Sequence, residues 1–320
     1  MLHLRLLVPA GRTDEVVRVV GTTVGATHLV VVPGAARDPL GDLVLCDVAR
    51  EAGDELIAEL RALGIDESGS ISVENVGLSL SKRADAAEEA APGEGADAVL
   101  WEHLAEVTHE ESTLSVTYLA FLTLATMIAA CGVVLDNAIL IVGAMAVGPE
   151  FGPLAGICAG LVGRAPGPAW RSLVALVTGF AVAMALTTVF SLMMDSFGLF
   201  SRAMLAADRP NTSFIWNPDL FSLVVAALAG AAGMLSLTSA KAGALVGVAI
   251  SVTTVPAAAN AAVALGYGDM GQVWGSSGQL LLNLAGIVAA GTLTLLAQRA
   301  FWAGTRRLGR TRRAERPPTG

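Results

Sequence analysis

Residues 123–156 read TLATMIAACGVVLDNAILIVGAMAVGPEFGPLAG, and this stretch decides the class of fold. Its only charged residues are Asp136 and Glu150. Because a membrane-spanning helix needs about 20 predominantly apolar residues, the stretch predicts two such helices joined by a tight turn at Asp136. The second helix contains GPEFGP, whose two prolines and carboxylate interrupt its apolar run.

Similar apolar runs fill the chain beyond residue 111. The predicted spans are residues 112–135, 137–163, 172–194, 220–240, 242–268 and, from about Trp274, the run that ends at residue 298. The composition agrees, because 54% of the residues are hydrophobic and only 15% are charged, whereas soluble proteins carry about 25% charged residues. We therefore expect an α-helical polytopic membrane protein with about six transmembrane helices in residues 112–302.

The first 80 residues have a different pattern, in which short apolar segments alternate with polar ones. Residues 3–9, 27–32, 42–48 and 70–76 are typical of strands, and residues 11–25 and 51–63 are typical of amphipathic helices. Gly64 is the expected C-cap of the second helix, and Pro33-Gly34 is expected to end the second strand. The order βαββαβ predicts a small α+β ferredoxin-like domain over residues 1–80.

Two further segments complete the predicted organisation. Residues 81–111 form an acidic linker, in which Val99, Leu100, Leu104 and Val107 predict a short amphipathic helix along the membrane surface. Residues 303–320 are rich in arginine and predict a basic, disordered cytosolic tail.

The placement of charge predicts an orientation. The first residues lack the hydrophobic core of a signal peptide, so we expect the N-terminal domain to stay in the cytosol. The predicted inner loops and the tail then hold most of the arginines beyond residue 111. The predicted outer segments hold only Arg202 and Arg209, in accord with the positive-inside rule. Because arginine strongly outnumbers lysine, as in GC-rich bacterial genomes, we expect a multi-pass protein of the bacterial cytoplasmic (inner) membrane with both termini cytosolic.

Spans one and two resemble spans four and five. Gly132 corresponds to Gly233, and the second span of each pair reaches proline, at Pro149 and Pro153 in one and at Pro256 in the other. This pattern indicates an inverted 3+3 repeat, in which paired interruptions point to a central transport site. Close packing of helices at glycines is the competing explanation.

Glu150 is the most informative polar residue, because a charge at mid-span costs about 3 kcal/mol. It fits a proton relay, a cation ligand or the partner of a base; alternatively, a re-entrant bend brings it to an interface. Asn260, Gln279 and Asn283 also lie in predicted spans, and the last two share a helix face because they are four residues apart. They line a polar cavity or form hydrogen bonds between helices.

Three polar residues are placed at helix turns. Asp136 and Asn137 lie between spans one and two, where Asn137 is expected to cap the second span. Lys241 matches this position in the second half of the repeat and begins span five from the cytosolic side.

The sequence contains no nucleophile–base pair, phosphate-binding loop or metal-ligand cluster. All four histidines precede the first span, and Cys46, Cys131 and Cys158 lack the spacing of metal or disulfide sites. We expect no enzymatic activity, no cofactor, no metal and no nucleic-acid partner. A membrane enzyme would have to work without these groups.

The membrane part resembles the domain of unknown function 389 family, described as uncharacterised hydrophobic membrane proteins. The resemblance starts in the stretch quoted above, returns in residues 230–266 and in the span that contains Asn283, and covers about residues 112–298. Pro149 and Pro153 match the prolines of the family's motif, whereas Glu150 and the unpaired Pro256 depart from it. The resemblance supports the architecture and implies no substrate.

Two functions therefore stay open. The first is a transporter or channel for an unidentified small solute or ion, with its path near the broken helices two and five. The alternative is a membrane-anchored sensor or scaffold, in which the cytosolic domain binds a small-molecule ligand or a partner. Either function implies contact with the lipid bilayer, and we expect a homo-oligomer.

Overall fold

The computed structural model describes residues 1–91, 98–217, 219–239 and 253–314. The chain divides into two compact units. One comprises Met1–Glu102, Thr238–Ala240 and Arg299–Gly320, and the other comprises His103–Leu237 and Lys241–Gln298. Lys241, which was predicted to begin span five, lies outside the described residues.

A four-stranded antiparallel sheet forms the N-terminal part of the chain. Its strands are β1 (Leu2–Val8), β2 (Ala26–Arg37), β3 (Leu40–Val48) and β4 (Ser70–Asn75), hydrogen-bonded in the order β2-β3-β1-β4. Helix α1 (Thr13–Thr22) connects β1 to β2, and helix α2 (Arg50–Ala62) with the single turn α3 (Ile65–Ser68) connects β3 to β4. The order βαββαβ is the one that the sequence predicts, with α3 in addition.

The core of this unit follows from the alternation of apolar residues. Leu2, Leu4 and Leu6 on β1 are fully buried, because successive strand residues point to opposite faces and these three point to the helices. Leu56 and Leu60 on α2 are also fully buried, in the same hydrophobic cluster. The helix ends where Gly64 adopts a positive φ of 66°, a conformation that suits glycine.

The prediction that Pro33-Gly34 ends the second strand is wrong. Strand β2 continues to Arg37, and its pairing with β3 shifts register between Val32 and Ala36. Gly34 has a φ of 64°, and its N–H donates a hydrogen bond of 2.8 Å to Asp42 Oδ1. Because β2 lies at the edge of the sheet, a proline there removes no ladder hydrogen bond, and the dipeptide forms a bulge.

The segment predicted as an acidic linker contains two helices. Helix α4 (Lys82–Ala90) was not predicted, although Ser81 signals its start: the Ser81 hydroxyl accepts hydrogen bonds from the N–H groups of Arg83 and Ala84. Helix α5 (Trp101–Glu111) contains most of the predicted amphipathic segment.

Asp47 on β3 lies between two histidines. Its Oδ1 is 2.7 Å from His3 Nδ1, its Oδ2 is 2.7 Å from His28 Nδ1, and His28 Nε2 lies 2.9 Å from the Ser81 hydroxyl. Burial raises the pKa of Asp47, but the hydrogen bonds and charges of the two histidines lower it more, so the pKa is below its ordinary value.

The described residues beyond α5 are mainly helical. Its helices are α6 (Val116–Val134), α7 (Ala138–Val147), α8 (Phe151–Gly163), α9 (Pro166–Ser196), α10 (Arg202–Ala206), α11 (Leu220–Thr238), α12 (Thr254–Tyr267) and α13 (Met270–Ala314). Among the described residues, α6, α9, α11 and α13 are each long and apolar enough to cross a membrane. Helices α7 and α8 count as a fifth span when they are taken together across their bend of 53°.

The described residues therefore provide four spans, or five with the bent pair, and the predicted count of six is not confirmed. The difference lies in the predicted span at residues 242–268. Its described part is α12, which has 14 residues, and residues 240–252 lie outside the described residues. Since about 20 residues are needed to cross, α12 alone is too short.

Glycines set the closest approaches between the membrane helices. A Cβ atom on Gly230 of α11 would lie 2.5 Å from the carbonyl oxygen of Ile287 on α13, and one on Gly233 would overlap the ring of Phe151 on α8. The backbones of α11 and α13 can therefore meet only where a side chain is absent.

We expect Gly230→Ala to lower the midpoint of thermal unfolding of the full-length protein in detergent, because overpacking costs about 1–3 kcal/mol. Gly143→Ala on α7 is the matched control, since a Cβ there meets no atom within 4 Å. Its midpoint should equal that of the wild type or exceed it slightly. Equal midpoints for the two variants would contradict the assigned contact.

We expect Asp47→Asn to lower the thermal midpoint at about pH 6, where the carboxylate is ionised. A lowered pKa means that the carboxylate's contribution is fully present above the unfolded pKa of about 3.9 and is lost as the pH falls through the folded value. The midpoints of the variant and the wild type should converge below about pH 4. A gap independent of pH would show that another property of the residue is responsible.

Candidate functional site

The bend between α7 and α8 places Glu150 at the start of a helix. Helix α7 ends at Val147, and Gly148 is extended, as expected for the residue before Pro149. Helix α8 then begins at Phe151, with Glu150 as its N-cap residue. Pro153 is in the first turn of α8, where a missing N–H removes no helical hydrogen bond.

Helix α12 begins in the same way. Thr253 is its N-cap residue, and Pro256 is the third residue of the helix. The part of the predicted span that precedes Thr253 lies outside the described residues. Within them, Pro256 lies in a first turn that has no intrahelical donor to lose. Helices α8 and α12 are thus two short helices, of 13 and 14 residues, each with proline at its third position.

The starts of these two helices are in direct contact. The hydroxyl of Thr254, the first residue of α12, donates a hydrogen bond of 2.8 Å to Glu150 Oε1. Glu150 is only 4% exposed, and its Oε2 has no hydrogen-bond partner among the described residues. A Cβ on Gly148 would overlap the Glu150 carboxylate and approach Val255, so glycine at this position leaves room for the buried acid.

A stripe of polar side chains on α13 faces α12. Its members are Gln272, Ser276, Gln279 and Asn283. Their spacings of four, three and four residues place them on one helix face, and each is at most 8% exposed. The stripe runs over 11 residues, or about 16 Å at 1.5 Å per residue.

Two hydrogen-bonded groups connect this stripe to α12. Asn260 Nδ2 donates to Ser276 Oγ at 2.7 Å and to Gln272 Oε1 at 3.2 Å. Asn283 Nδ2 donates to Thr253 Oγ1 at 2.8 Å. Both connections use polar side chains of a kind that is rare within apolar, membrane-spanning segments.

Gln279 lies between these two groups on the stripe. It is fully buried, and neither its amide oxygen nor its amide nitrogen has a hydrogen-bond partner among the described residues. Buried amides almost always have partners in proteins, so Gln279 adds hydrogen-bonding capacity to the stripe that the described residues do not use.

Arg209 extends this arrangement and was not singled out from the sequence. It lies in the segment between α9 and α11 and is 4% exposed. Its guanidinium donates to Gln272 Oε1 at 2.6 Å, to Asn260 Oδ1 at 3.0 Å and to the carbonyl of Val133 at 3.4 Å. Burial lowers the pKa of Arg209, although the negative charges of Asp136 and Asp269 oppose this effect.

A signal for Arg209 was present in the sequence. Arg209 is one of two basic residues in a predicted outer segment that the positive-inside rule leaves almost free of positive charge. The role of Arg209 leaves no local pattern in the sequence, because it depends on hydrogen bonds to side chains more than 50 residues away along the chain.

The same segment is also held at the turn between α6 and α7. The Thr212 hydroxyl donates to Asp136 Oδ1 at 2.8 Å, and Asn211 Nδ2 donates to Asp136 Oδ2 at 2.9 Å. Burial raises the pKa of Asp136, but these hydrogen bonds and the positive charge of Arg209 have a larger, opposite effect. The pKa is therefore below its ordinary value. Asn137 caps α7 by accepting hydrogen bonds from Ile139 N and Leu140 N.

We call this set of buried polar side chains the polar track. It consists of Glu150, Thr254, Thr253, Asn283, Gln279, Ser276, Asn260, Gln272 and Arg209. The structure thus brings together the predicted residues Glu150, Asn260, Gln279 and Asn283, with Pro149, Pro153 and Pro256 shaping the helix starts at one end. Asp136 and Asn137 lie apart from the track, at the turn that holds the Arg209 segment.

A cleft of about 360 Å³ lies on the other side of the bend. Its walls include Glu110, Glu111 and Tyr118 together with the backbone of Gly148 and Pro149. Burial raises the pKa of Glu111 above its ordinary value. This cleft was not predicted, because its two walls come from the end of α5 and from the bend about 40 residues later.

Comparison with known proteins gives one match. Residues 145–289 match the family model described as "Domain of unknown function (DUF389)", the family that the sequence resembles. Every member of the polar track lies within this range. No curated protein and no solved structure matches the chain.

We expect Arg209→Met to destabilise the protein, because the oxygens of Asn260 and Gln272 lose a charged donor; a buried unsatisfied group costs about 1–3 kcal/mol. Amide hydrogen exchange in residues 197–217 should become faster, since the segment loses its attachment to α12 and α13. The matched control is Arg202→Met in the same segment, where the side chain is exposed. Indistinguishable exchange in the two variants would contradict this role of Arg209.

Proposed function

We propose that this protein, a member of the domain of unknown function 389 family, moves a small solute or ion across a membrane along the polar track. The observation that carries the proposal is the set of buried polar side chains between two short helices whose starts meet at Glu150. Polar groups at membrane depth are costly and are typical of transport pathways. Irregular backbone at that depth occurs where it is buried in protein or lines a water-filled cavity.

An inverted repeat is part of this proposal. Helices α8 and α12 have nearly equal lengths, each has proline at its third position, and their starts are in contact. Pairs of interrupted helices that meet near the middle of the membrane are typical of transporters built from inverted repeats. In this proposal the predicted span at residues 242–268, the fifth in chain order, completes the count of six, and α12 is its described part.

The proposed setting follows the sequence. The protein lies in the bacterial inner membrane with both termini in the cytosol, because the basic residues concentrate at the segments then placed inside. It acts without enzymatic chemistry and assembles as a homo-oligomer. The alternative is a role as a membrane-anchored sensor or scaffold. That role does not require the polar track.

The test is solute flux in liposomes that contain the purified full-length protein. Efflux is measured for K⁺, Na⁺, Cl⁻, nitrate and a panel of small neutral metabolites. We expect at least one solute to leave faster than from protein-free liposomes, and Asn283→Leu to slow it about tenfold, the equivalent of one lost hydrogen bond to a polar solute.

The matched control for Asn283→Leu is Leu281→Ala on the same helix. Leu281 is 66% exposed and lies off the polar stripe. Solute flux through the Leu281→Ala variant should therefore stay within about twofold of the wild type. Protein-free rates for every solute, or equal rates for the two variants, would refute the proposed path.

A further inference from the structure

We propose that the solute is a small inorganic anion such as chloride or nitrate, and that the Glu150 carboxylate is a gate that occupies the anion's position between the starts of α8 and α12. This inference rests on the proposed function. It concerns the sign of the solute's charge and the group that controls its passage, neither of which follows from a polar path alone.

Two helix N-termini meet at this position. The first N–H groups of a helix have no intrahelical partner, and the helix dipole places partial positive charge there. Helices α8 and α12 have 13 and 14 residues, long enough for this effect, and both begin next to the Glu150 carboxylate. Such half-helix starts bind anionic groups in transporters and in soluble proteins.

An independent observation points to a ligand at the same place. Glu150 is 96% buried, its Oε1 is held by the Thr254 hydroxyl, and its Oε2 has no partner among the described residues. The carboxylate lies beside the two helix starts, and with one unpartnered oxygen it is held by fewer hydrogen bonds than a carboxylate whose two oxygens are both satisfied. The carboxylate therefore stands in the position that a mobile anion would take.

The other charged and polar groups of the track also favour a negatively charged solute. Apart from Glu150, the only charged member is Arg209, whose hydrogen bonds are to amide and carbonyl oxygens. Once Glu150 is neutral or displaced, the track carries a positive charge, partial positive charges from two helix starts, and amide and hydroxyl donors. The described residues contain no group of three His, Cys, Asp or Glu side chains that could hold a metal ion.

Protonation of Glu150 would open the gate. A carboxylate at the site repels an incoming anion, whereas a neutral carboxylic acid does not and can also donate a hydrogen bond to it. Among the described residues, Tyr118 on α6 interacts electrostatically with Glu150, and Glu111 and Glu110 at the end of α5 line the cleft beside the bend. Helices α7, α8, α11 and α12 carry no acidic or basic side chain.

The experiment measures chloride efflux from liposomes that contain the full-length protein. The liposomes are loaded with KCl, valinomycin supplies the counter-current of K⁺, and the pH is equal on both sides. For the wild type we expect efflux to increase at least about tenfold from pH 7.5 to pH 5, because the gate becomes neutral. Glu150→Gln should be fast at both pH values, since its amide carries no charge.

Two further variants make the result decisive. Glu111→Gln is the comparison carboxylate beside the bend, and its efflux should keep the pH response of the wild type. Thr254→Val removes the hydroxyl that holds Glu150, so it should raise efflux at pH 7.5 and supports or refutes the gate even if Glu150→Gln does not fold. Folding is checked for each variant by its elution as a single species and its thermal midpoint.

Several outcomes would overturn the inference. Na⁺ or K⁺ flux without chloride flux in the wild type would show a cation path, and the proposed function would still stand. A pH response that persists in Glu150→Gln, or that disappears in Glu111→Gln, would assign the gate to another group. Protein-free rates for every solute would instead refute the proposed function itself.

Discussion

The hydrogen bond between the Thr254 hydroxyl and Glu150 joins the starts of two short helices inside the helical unit, and the candidate site depends on it. Neither α8 nor α12 alone is long enough to cross a bilayer. In the proposed pathway their first N–H groups lie at membrane depth, where unpaired backbone groups are not tolerated in contact with lipid. The starts of the two helices meet at the acid between them, which accepts a hydrogen bond from the Thr254 hydroxyl.

Glycine makes this meeting of helices geometrically feasible. Gly148 leaves the room that the buried carboxylate occupies, and Gly233 allows α11 to approach the ring of Phe151 at the first residue of α8. The two explanations considered for the glycines and prolines, close packing and interrupted helices, are therefore parts of one arrangement. Packing brings the helices close enough for their polar residues to pair with each other rather than face lipid.

The segment between α9 and α11 closes the other end of the polar track. Arg209 is satisfied by side-chain and backbone oxygens from three different helices, and Thr212 and Asn211 attach the same segment to Asp136. A charged side chain buried in this way costs more to release than an exposed one. The track thus has a carboxylate at one end and a guanidinium at the other, with neutral amides and hydroxyls between them.

The sequence by itself determined the properties that depend on local pattern. The pattern of residues 3–9 and 42–48 predicted strands, runs of about 20 apolar residues predicted most spans, and Gly-Pro steps located the break beside Glu150. It also identified Glu150, Asn260, Gln279 and Asn283 as residues of interest, because a polar group in an apolar run is conspicuous. Only the tertiary structure decided that Thr254 binds Glu150, that Arg209 binds Asn260 and Gln272, and that Pro256 lies in the first turn of a helix. The physical reason is that hydrogen bonds between residues 12 to 104 positions apart depend on how helices pack, and packing leaves no periodic mark on the sequence.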